Sequence, residues 1–172
     1  MDLELPKLLA ANEEYRRDAF YRSPRTPNPG RRLVILTCMD ARLDLFRALG
    51  LEVGDAHILR NAGGRASDDA IRSLVVSTRL LATREVGVIH HTNCGLEGVS
   101  DDDVAQKTGV TGIPFLAFDD IDQSVRDDVA ALCSCLSLPE GIAVWGAVYD
   151  VGTGTVRVVA APRPTSGSEG GL

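Results

Sequence analysis

The sequence lacks four features that would each define a class of protein. It has no run of about 18 apolar residues, the length that a membrane-spanning helix needs, and no apolar segment follows a basic start as in a secretory signal. It has no basic stripe, and its formal net charge of −6 argues against a nucleic acid or an anionic membrane as a partner. It also has no internal repeat. We therefore expect a cytoplasmic protein with no membrane and no nucleic-acid partner.

Cysteine is scarce as well, since the 172 residues include only four. In a reducing compartment, so few cysteines are more typical of metal ligands or buried thiols than of a disulfide framework. The length suits one domain with a substantial core. We expect a separate N-terminal helix within residues 1–22, a single α/β domain over residues 23–161, and a disordered tail rich in Pro, Gly and Ser over residues 162–172.

Short apolar runs alternate with stretches of helical periodicity along the chain. This alternation predicts an α/β fold with a mostly parallel central β-sheet flanked by helices. Strands are predicted at 32–37, 56–60, 86–90, 142–149 and 155–159, and helices at 43–49, 68–83 and 124–136.

Candidate ligands for a metal follow three of the predicted strands. Cys38 and Asp40 come directly after the first strand, residues 61–64 after the second, and His91 and Cys94 after the third. Because the carboxyl ends of parallel strands meet at one edge of a sheet, we expect these side chains to converge there. Two thiols, an imidazole and a carboxylate form a ligand set that suits zinc. The sequence therefore predicts a zinc site, which is catalytic if Asp40 can leave the metal.

Other histidines and cysteines have plainer explanations. His90 is the rival of His91, but as the penultimate strand residue it should point to the opposite face of the sheet. We expect His57 to be a core or interface residue. Cys133 is expected to be an inert buried thiol, and Cys135 lies across the same helix, so the two do not form a metal pair.

The polar residues near the candidate ligands also allow structural explanations. Asp40 and Arg42 could form an ordinary ion pair at a helix start. Asn61, Gly63 and Gly64 could simply make a tight turn. The acidic run at residues 101–103 is most simply a solvated loop or a helix cap.

Three motifs in order, Cys-x-Asp-x-Arg, Arg-Asn-Ala-Gly-Gly and His-x-x-Cys-Gly, resemble those of the β-class carbonic anhydrases. The resemblance is closest to the short bacterial and actinobacterial branch, which also includes carbonyl sulfide and carbon disulfide hydrolases. It implies one zinc ion per chain held by Cys38, His91 and Cys94. It further implies that Asp40 and Arg42 are a catalytic carboxylate–guanidinium pair, with Asp40 as a conditional fourth zinc ligand.

The resemblance implies the reversible hydration of CO2 to bicarbonate by zinc-bound hydroxide, with Asn61, Gly63 and Gly64 next to the substrate. Two alternatives stay open: hydrolysis of carbonyl sulfide or carbon disulfide at the same site, and a non-catalytic zinc-binding dimer. Ile35 stands where some members have a tryptophan of an inhibitory bicarbonate site, so that regulation is not expected here.

Self-association is the remaining expectation. Val76 and Leu80 lie off the main apolar stripe of their predicted helix, so a second face of this helix needs cover. In the family that the sequence resembles, the N-terminal helix packs on a partner chain. We therefore expect a homodimer, or a tetramer built from dimers, in which this helix is exchanged.

Overall fold

The computed structural model describes residues 4–17 and 26–166. The elements in these ranges follow one another along the chain as helix α1, strand β1, helix α2, strand β2, a 3-10 turn, helix α3, strand β3, helices α4 and α5, and strands β4 and β5. Their bounds are α1 Leu5–Arg17, β1 Leu33–Cys38, α2 Leu45–Leu49, β2 Ala56–Asn61, the turn Ala62–Gly64, α3 Asp68–Arg79, β3 Glu85–His91, α4 Asp101–Thr108, α5 Ile121–Cys133, β4 Ala143–Tyr149 and β5 Val156–Pro164.

The strands form one sheet in the order β2-β1-β3-β4-β5. The first four strands are parallel, and β5 pairs antiparallel with β4 at the edge. The register sets Cys38 level with Asn61 and Thr37 level with Ile89, so β1, β2 and β3 end at the same edge. The predicted α/β fold with a mostly parallel sheet is confirmed.

The central strands are buried on both faces, which explains why they appear in the sequence as uninterrupted apolar runs. On one face, Val34 and Val88 pack with Leu74 of α3 and Val125 of α5. On the other face, Ile35 joins a second cluster that includes residues of β3 and α2. Because both faces of the sheet are packed, the carboxyl end of each strand has a fixed position, and so do the residues that follow it.

Capping residues set the helix ends. Ser67 caps α3 as predicted, because its side chain accepts a hydrogen bond from the backbone N–H of Ala70. Helix α5 begins at Ile121, three residues before the predicted start, because the side chain of Asp120 caps it there. The acidic run at residues 101–103 forms the first turn of α4, a helix that the sequence analysis did not predict, and Ser100 closes a capping box with Asp103.

The ends of the chain differ in part from expectation. Strand β5 continues to Pro164, and Thr165 is buried, with its hydroxyl 3.0 Å from the backbone N–H of Ile142. The tail predicted from residue 162 therefore cannot begin before residue 167, and residues 167–172 lie outside the described residues. Helix α1 lies within the predicted residues 1–22 and has no buried residue. Each helix in the described ranges is too short or too polar to span a lipid bilayer.

Candidate metal centre

The sheet edge brings three metal-binding side chains together. Cys38 ends β1, His91 ends β3, and Cys94 lies in the turn that follows β3. All three residues are buried, and their ligand atoms lie within 4.8 Å of one another. The sequence analysis named the same three residues, and their convergence follows from the parallel register of β1 and β3.

The surroundings of His91 fit a metal ion. Its Nδ1 lies 3.0 Å from the backbone oxygen of Thr92 and donates its proton there, which leaves the lone pair on Nε2. His91 Nε2 is buried and has no hydrogen-bond partner among the described residues. Because a buried acceptor without a partner is costly, a cation held by this nitrogen and two thiolates would satisfy it. Zinc binds nitrogen and sulfur at about 2.0–2.3 Å, which suits ligand atoms this close together.

The ionisation of Cys38 is linked to that of Cys94. The pKa of Cys38 is lowered to about 4, first because the Cys94 thiol donates a hydrogen bond to it, and also because the backbone N–H groups of Asp40 and Gly63 stabilise the thiolate. The pKa of Cys94 is raised because its proton is held by Cys38 and because it is buried. A bound cation would take the place of that proton, so metal binding releases it.

Asp40 and Arg42 form a two-pronged ion pair beside the ligand atoms. Arg42 Nε lies 2.9 Å from Asp40 Oδ1, and Arg42 Nη2 lies 2.7 Å from Oδ2. Arg42 Nη2 also donates to the backbone oxygen of Asn93 at 3.0 Å. Asp40 Oδ2 lies 3.8 Å from His91 Nε2. These hydrogen bonds hold the pKa of Asp40 well below its usual range, so its carboxylate is an acceptor next to the metal centre at neutral pH.

The alternative explanation of this pair as an ordinary helix-start ion pair does not fit the structure. Helix α2 begins at Leu45 and is capped by Asp44, so Asp40 and Arg42 lie in the loop before it. The structure shows Asp40 paired with Arg42. Its use as a conditional fourth ligand stays a prediction.

The turn after β2 packs directly against the end of β1. Gly63 and Gly64 have φ angles of 76° and 73°, which favour glycine. A Cβ on Gly64 would lie 2.9 Å from the backbone nitrogen of Cys38. The side chain of Asn61 closes the turn, because its Nδ2 donates to the backbone oxygen of Arg65 at 2.8 Å and its Oδ1 accepts from the backbone N–H of Arg65 at 2.9 Å. A direct contact of Asn61, Gly63 or Gly64 with substrate stays a prediction.

The other candidate residues lie away from the three ligands. His90 points to the opposite face of the sheet, where Nδ1 is 2.8 Å from Ser124 Oγ and Nε2 is 3.1 Å from Asp128 Oδ2. Cys133 and Cys135 are half-buried free thiols outside the metal group. His57 is half-buried on β2 and bridges Ser77 to the backbone of Pro27.

Arg60 is a neighbour of the site that sequence reasoning missed. Its guanidinium donates to three carbonyl oxygens of the loop that carries the first ligand: Nε to Cys38 at 2.9 Å, Nη2 to Asp40 at 2.5 Å and Nη1 to Leu43 at 3.4 Å. Arg60 belongs to the Arg-Asn-Ala-Gly-Gly motif, but the motif alone does not indicate what its side chain contacts.

Known proteins share this sequence and this fold. The sequence profile of the carbonic anhydrase family matches residues 33–113. The chain is 38% identical over 157 residues to beta-carbonic anhydrase 1 of Mycobacterium tuberculosis, covering 88% of this chain and 94% of that protein. It is 31% identical over 170 residues to a carbon disulfide hydrolase of Acidithiobacillus thiooxidans, covering 84% and 85%. The crystal structure of a carbonic anhydrase from Streptococcus mutans superposes with a TM-score of 0.84 at 43% identity, covering 92% of this chain and 99% of that one.

Proposed function

Because the chain belongs to the β-carbonic anhydrase family of zinc enzymes, we propose that it catalyses the reversible hydration of CO2 to bicarbonate. The observation that carries this proposal is the group formed by Cys38, His91 and Cys94, with the Asp40–Arg42 pair beside it. When bound, zinc supplies a Lewis acid that lowers the pKa of water to near neutrality, so that a nucleophile is available for CO2.

Asp40 and Arg42 supply the orientation that this reaction needs. Asp40 stays ionised at neutral pH because Arg42 holds its carboxylate, so it can only accept hydrogen bonds. In the proposal, Asp40 accepts a hydrogen bond from the reacting water and aims the water's remaining lone pair at the carbon of CO2. Arg42 fixes the carboxylate through two parallel hydrogen bonds. If this pair breaks, Asp40 can turn towards the ligands and take the fourth position at the metal.

The glycine turn is the proposed substrate wall on the β2 side. Gly63 and Gly64 carry no side chain that could block the approach of a small linear molecule to the ligand edge. The side-chain amide of Asn61 is already hydrogen-bonded within the turn. Its proposed part is therefore to hold the shape of this wall.

The second candidate function is the hydrolysis of carbon disulfide or carbonyl sulfide. The similarity to carbon disulfide hydrolases over most of the chain supports it, and these molecules differ from CO2 only by sulfur in place of oxygen. A zinc-binding dimer without catalysis is the third possibility.

One experiment separates the three. The zinc-loaded protein is tested by stopped-flow CO2 hydration across pH and, beside it, for release of hydrogen sulfide from carbonyl sulfide and from carbon disulfide. We expect CO2 hydration to be the fastest of the three reactions. CO2 hydration should be slower in Arg42→Ala than in the wild type at every pH. Arg47→Ala is the control and should match the wild type, because Arg47 is an exposed arginine of α2 whose side chain makes only a 4.0 Å contact to Asp44. Release of hydrogen sulfide that is faster than CO2 hydration would favour the second function. No turnover of any of the three substrates would favour the third.

Self-association is part of the same proposal, together with the cytoplasmic location expected from the sequence. Val76 of α3 and Leu80, which follows its last residue, are 39% and 73% exposed in the single chain. Val76 lines an apolar groove of about 530 Å³ that also includes Phe46 and Ile58. Helix α1 carries exposed leucines and buries no residue on its own chain. We propose a homodimer in which α1 of each chain covers apolar surface of its partner.

A further inference from the structure

A buried ion pair lies next to the metal centre, and the proposed reaction does not use it. Arg65 Nε is 2.8 Å from Asp128 Oδ2, and Arg65 Nη2 is 3.2 Å from Oδ1. The two side chains are only 12% and 8% exposed. Removing two charges from water is unfavourable unless the pair and its other hydrogen bonds compensate for it. The position of this pair therefore calls for an explanation.

The pair holds the backbone of residues 115–118, which we call the Phe118 segment. Arg65 Nη1 donates to the backbone oxygen of Leu116 at 2.6 Å. Leu116 has a φ angle of 58°, in the left-handed region that a leucine rarely adopts. From the other side, the Asp101 carboxylate accepts hydrogen bonds from the backbone N–H groups of residues 115, 116 and 117. Charged groups on both sides thus hold the segment in a conformation that its own sequence disfavours.

The Phe118 segment packs an aromatic ring into the same apolar cluster as the two thiol ligands. Phe118 is buried in one apolar cluster with Cys38 and Cys94. The guanidinium carbon of Arg65 lies 5.5 Å from the centre of the Phe118 ring. The segment is also tied to the loop that carries Cys94, because the Phe118 N–H donates to the backbone oxygen of Leu96 at 3.0 Å.

The same pair is linked to the third ligand, His91, through its neighbour His90. Asp128 Oδ2 is 3.1 Å from His90 Nε2, and the His90 ring stacks on Phe118 with 5.7 Å between centroids. His90 precedes the ligand His91 in β3. The Arg65–Asp128 pair therefore contacts the surroundings of all three ligands.

We propose that Arg65 and Asp128 are positioning residues of the metal centre. Their ion pair fixes Phe118 in the cluster with the thiols and anchors the end of β3, so that the three ligand atoms are held together and shielded from water before zinc binds. The proposal concerns metal binding alone, so it does not depend on which small molecule is the substrate.

The test compares Asp128→Asn and Arg65→Lys with Asp122→Asn in the full chain. Asp122 is a matched control, because it also lies on α5 and also pairs with an arginine, Arg157 at 2.8 Å, but on the β5 side of the sheet. Zinc affinity is measured by transfer of zinc from the loaded protein to a chromophoric chelator. We expect Asp128→Asn and Arg65→Lys to bind zinc about 10- to 100-fold more weakly than the wild type. Asp122→Asn should differ less than about twofold.

A second readout excludes a merely structural role. The visible absorption of the cobalt-substituted protein, at saturating cobalt, reports the geometry of the thiolate ligands. We expect this spectrum to change in Asp128→Asn and to stay the same in Asp122→Asn. A variant that is less thermostable but keeps the wild-type zinc affinity and cobalt spectrum would overturn the proposal.

Asp101→Asn provides a test if the buried variants do not fold. This substitution weakens the hydrogen bonds that Asp101 accepts from the backbone of the Phe118 segment. Asp101 is half-buried and is not part of the Arg65–Asp128 pair. We expect a smaller loss of zinc affinity, about threefold to tenfold, with the same direction of change in the cobalt spectrum. Wild-type values for both would contradict the role of the segment.

Discussion

The cysteines of this chain show that a residue's surroundings decide its chemistry. Cys38 and Cys94 lie together beside a buried imidazole nitrogen that has no hydrogen-bond partner among the described residues. Cys133 lies outside this group of ligand atoms. A metal ion needs several ligand atoms placed close together. The first two residues are therefore suited to zinc, and Cys133 is not.

The first prediction follows from this contrast. Cys38→Ser and Cys94→Ser should each keep less than about one tenth of the wild-type zinc, because a neutral hydroxyl replaces a thiolate poorly. Cys133→Ser should keep one zinc per chain. Elemental analysis of the purified proteins measures this directly. Full zinc content in Cys38→Ser would show that the ligand assignment is wrong.

The chemical role of single residues was easier to predict from the sequence than the contacts that their side chains make. The types and spacing of Cys38, Asp40, His91 and Cys94 indicated zinc without any structure. The contacts of Arg60 and Arg65 were not predictable in the same way, because they join residues that are far apart in sequence. An arginine in a motif carries no sign of whether it faces a carboxylate, a carbonyl or water. Such pairs become visible only when the packing of the elements is known.

Among the elements, the turn that follows β2 has the tightest packing requirement. Gly64 combines a positive φ angle with direct contact to the backbone at the end of β1. Gly109, which ends α4, has a similar φ angle of 70° but no atom within 4 Å of a Cβ built there. The two glycines thus separate the effect of backbone conformation from the effect of close approach.

The second prediction uses this pair. Gly109→Ala should lower the free energy of unfolding by about 1 kcal/mol, the cost of holding alanine at positive φ. Gly64→Ala should cost at least about 2 kcal/mol more, because the new Cβ pushes the end of β1 away, and it should also weaken zinc binding. Urea unfolding and zinc content provide the two measurements. Equal costs for the two variants would mean that the turn can move away from β1 without penalty.

A third prediction concerns the link between α5 and the turn through Asp128. Burial raises the pKa of Asp128, but hydrogen bonds from His90 and Arg65 outweigh it, so the net shift is downward. The ionised group therefore contributes stability that is complete above the unfolded pKa of about 3.9 and is lost as the pH falls through the lower folded pKa. Asp128→Asn should be about 3–5 kcal/mol less stable than the wild type at pH 7.

The pH dependence of this difference is the decisive part. Urea unfolding of both proteins without metal should give a constant gap between about pH 5 and pH 7, and the gap should shrink below about pH 4. A gap that stays the same at low pH would show that Asp128 does not act through its charge.

Element prediction succeeded where one local signal dominated. The strand ends at Cys38 and His91 were placed to within one residue, because uninterrupted apolar runs are typical of strands buried on both faces. Helix α5 was misplaced, because its start depends on the capping side chain of Asp120 while the prediction followed the apolar stripe. Strand β5 was predicted too short, because the prolines at 162 and 164 suggested a tail. At the sheet edge, a proline needs no partner for its missing N–H.

At the scale of the whole molecule, the parallel topology of the sheet brings the residues of the metal centre together. Three ligands from two distant stretches of sequence meet because β1 and β3 are neighbours with aligned carboxyl ends. The same architecture leaves apolar surface uncovered at the β2 side, around Val76, Phe46 and Ile58. A second chain is the occupant that we propose for this surface.

The last prediction tests that proposal. Val76→Glu should convert the proposed dimer into monomers, because a charge replaces an apolar side chain on the surface that we propose the partner covers. The protein that lacks residues 1–22 should aggregate or lose activity. Val158→Glu is the matched control, since Val158 is 69% exposed on β5 at the opposite edge of the sheet. It should remain at least dimeric by light scattering.

Activity measured at low protein concentration should fall with dissociation of Val76→Glu if the partner forms a wall of the substrate cleft. A monomeric, fully active protein lacking residues 1–22 would show that neither helix α1 nor the interface is needed for catalysis.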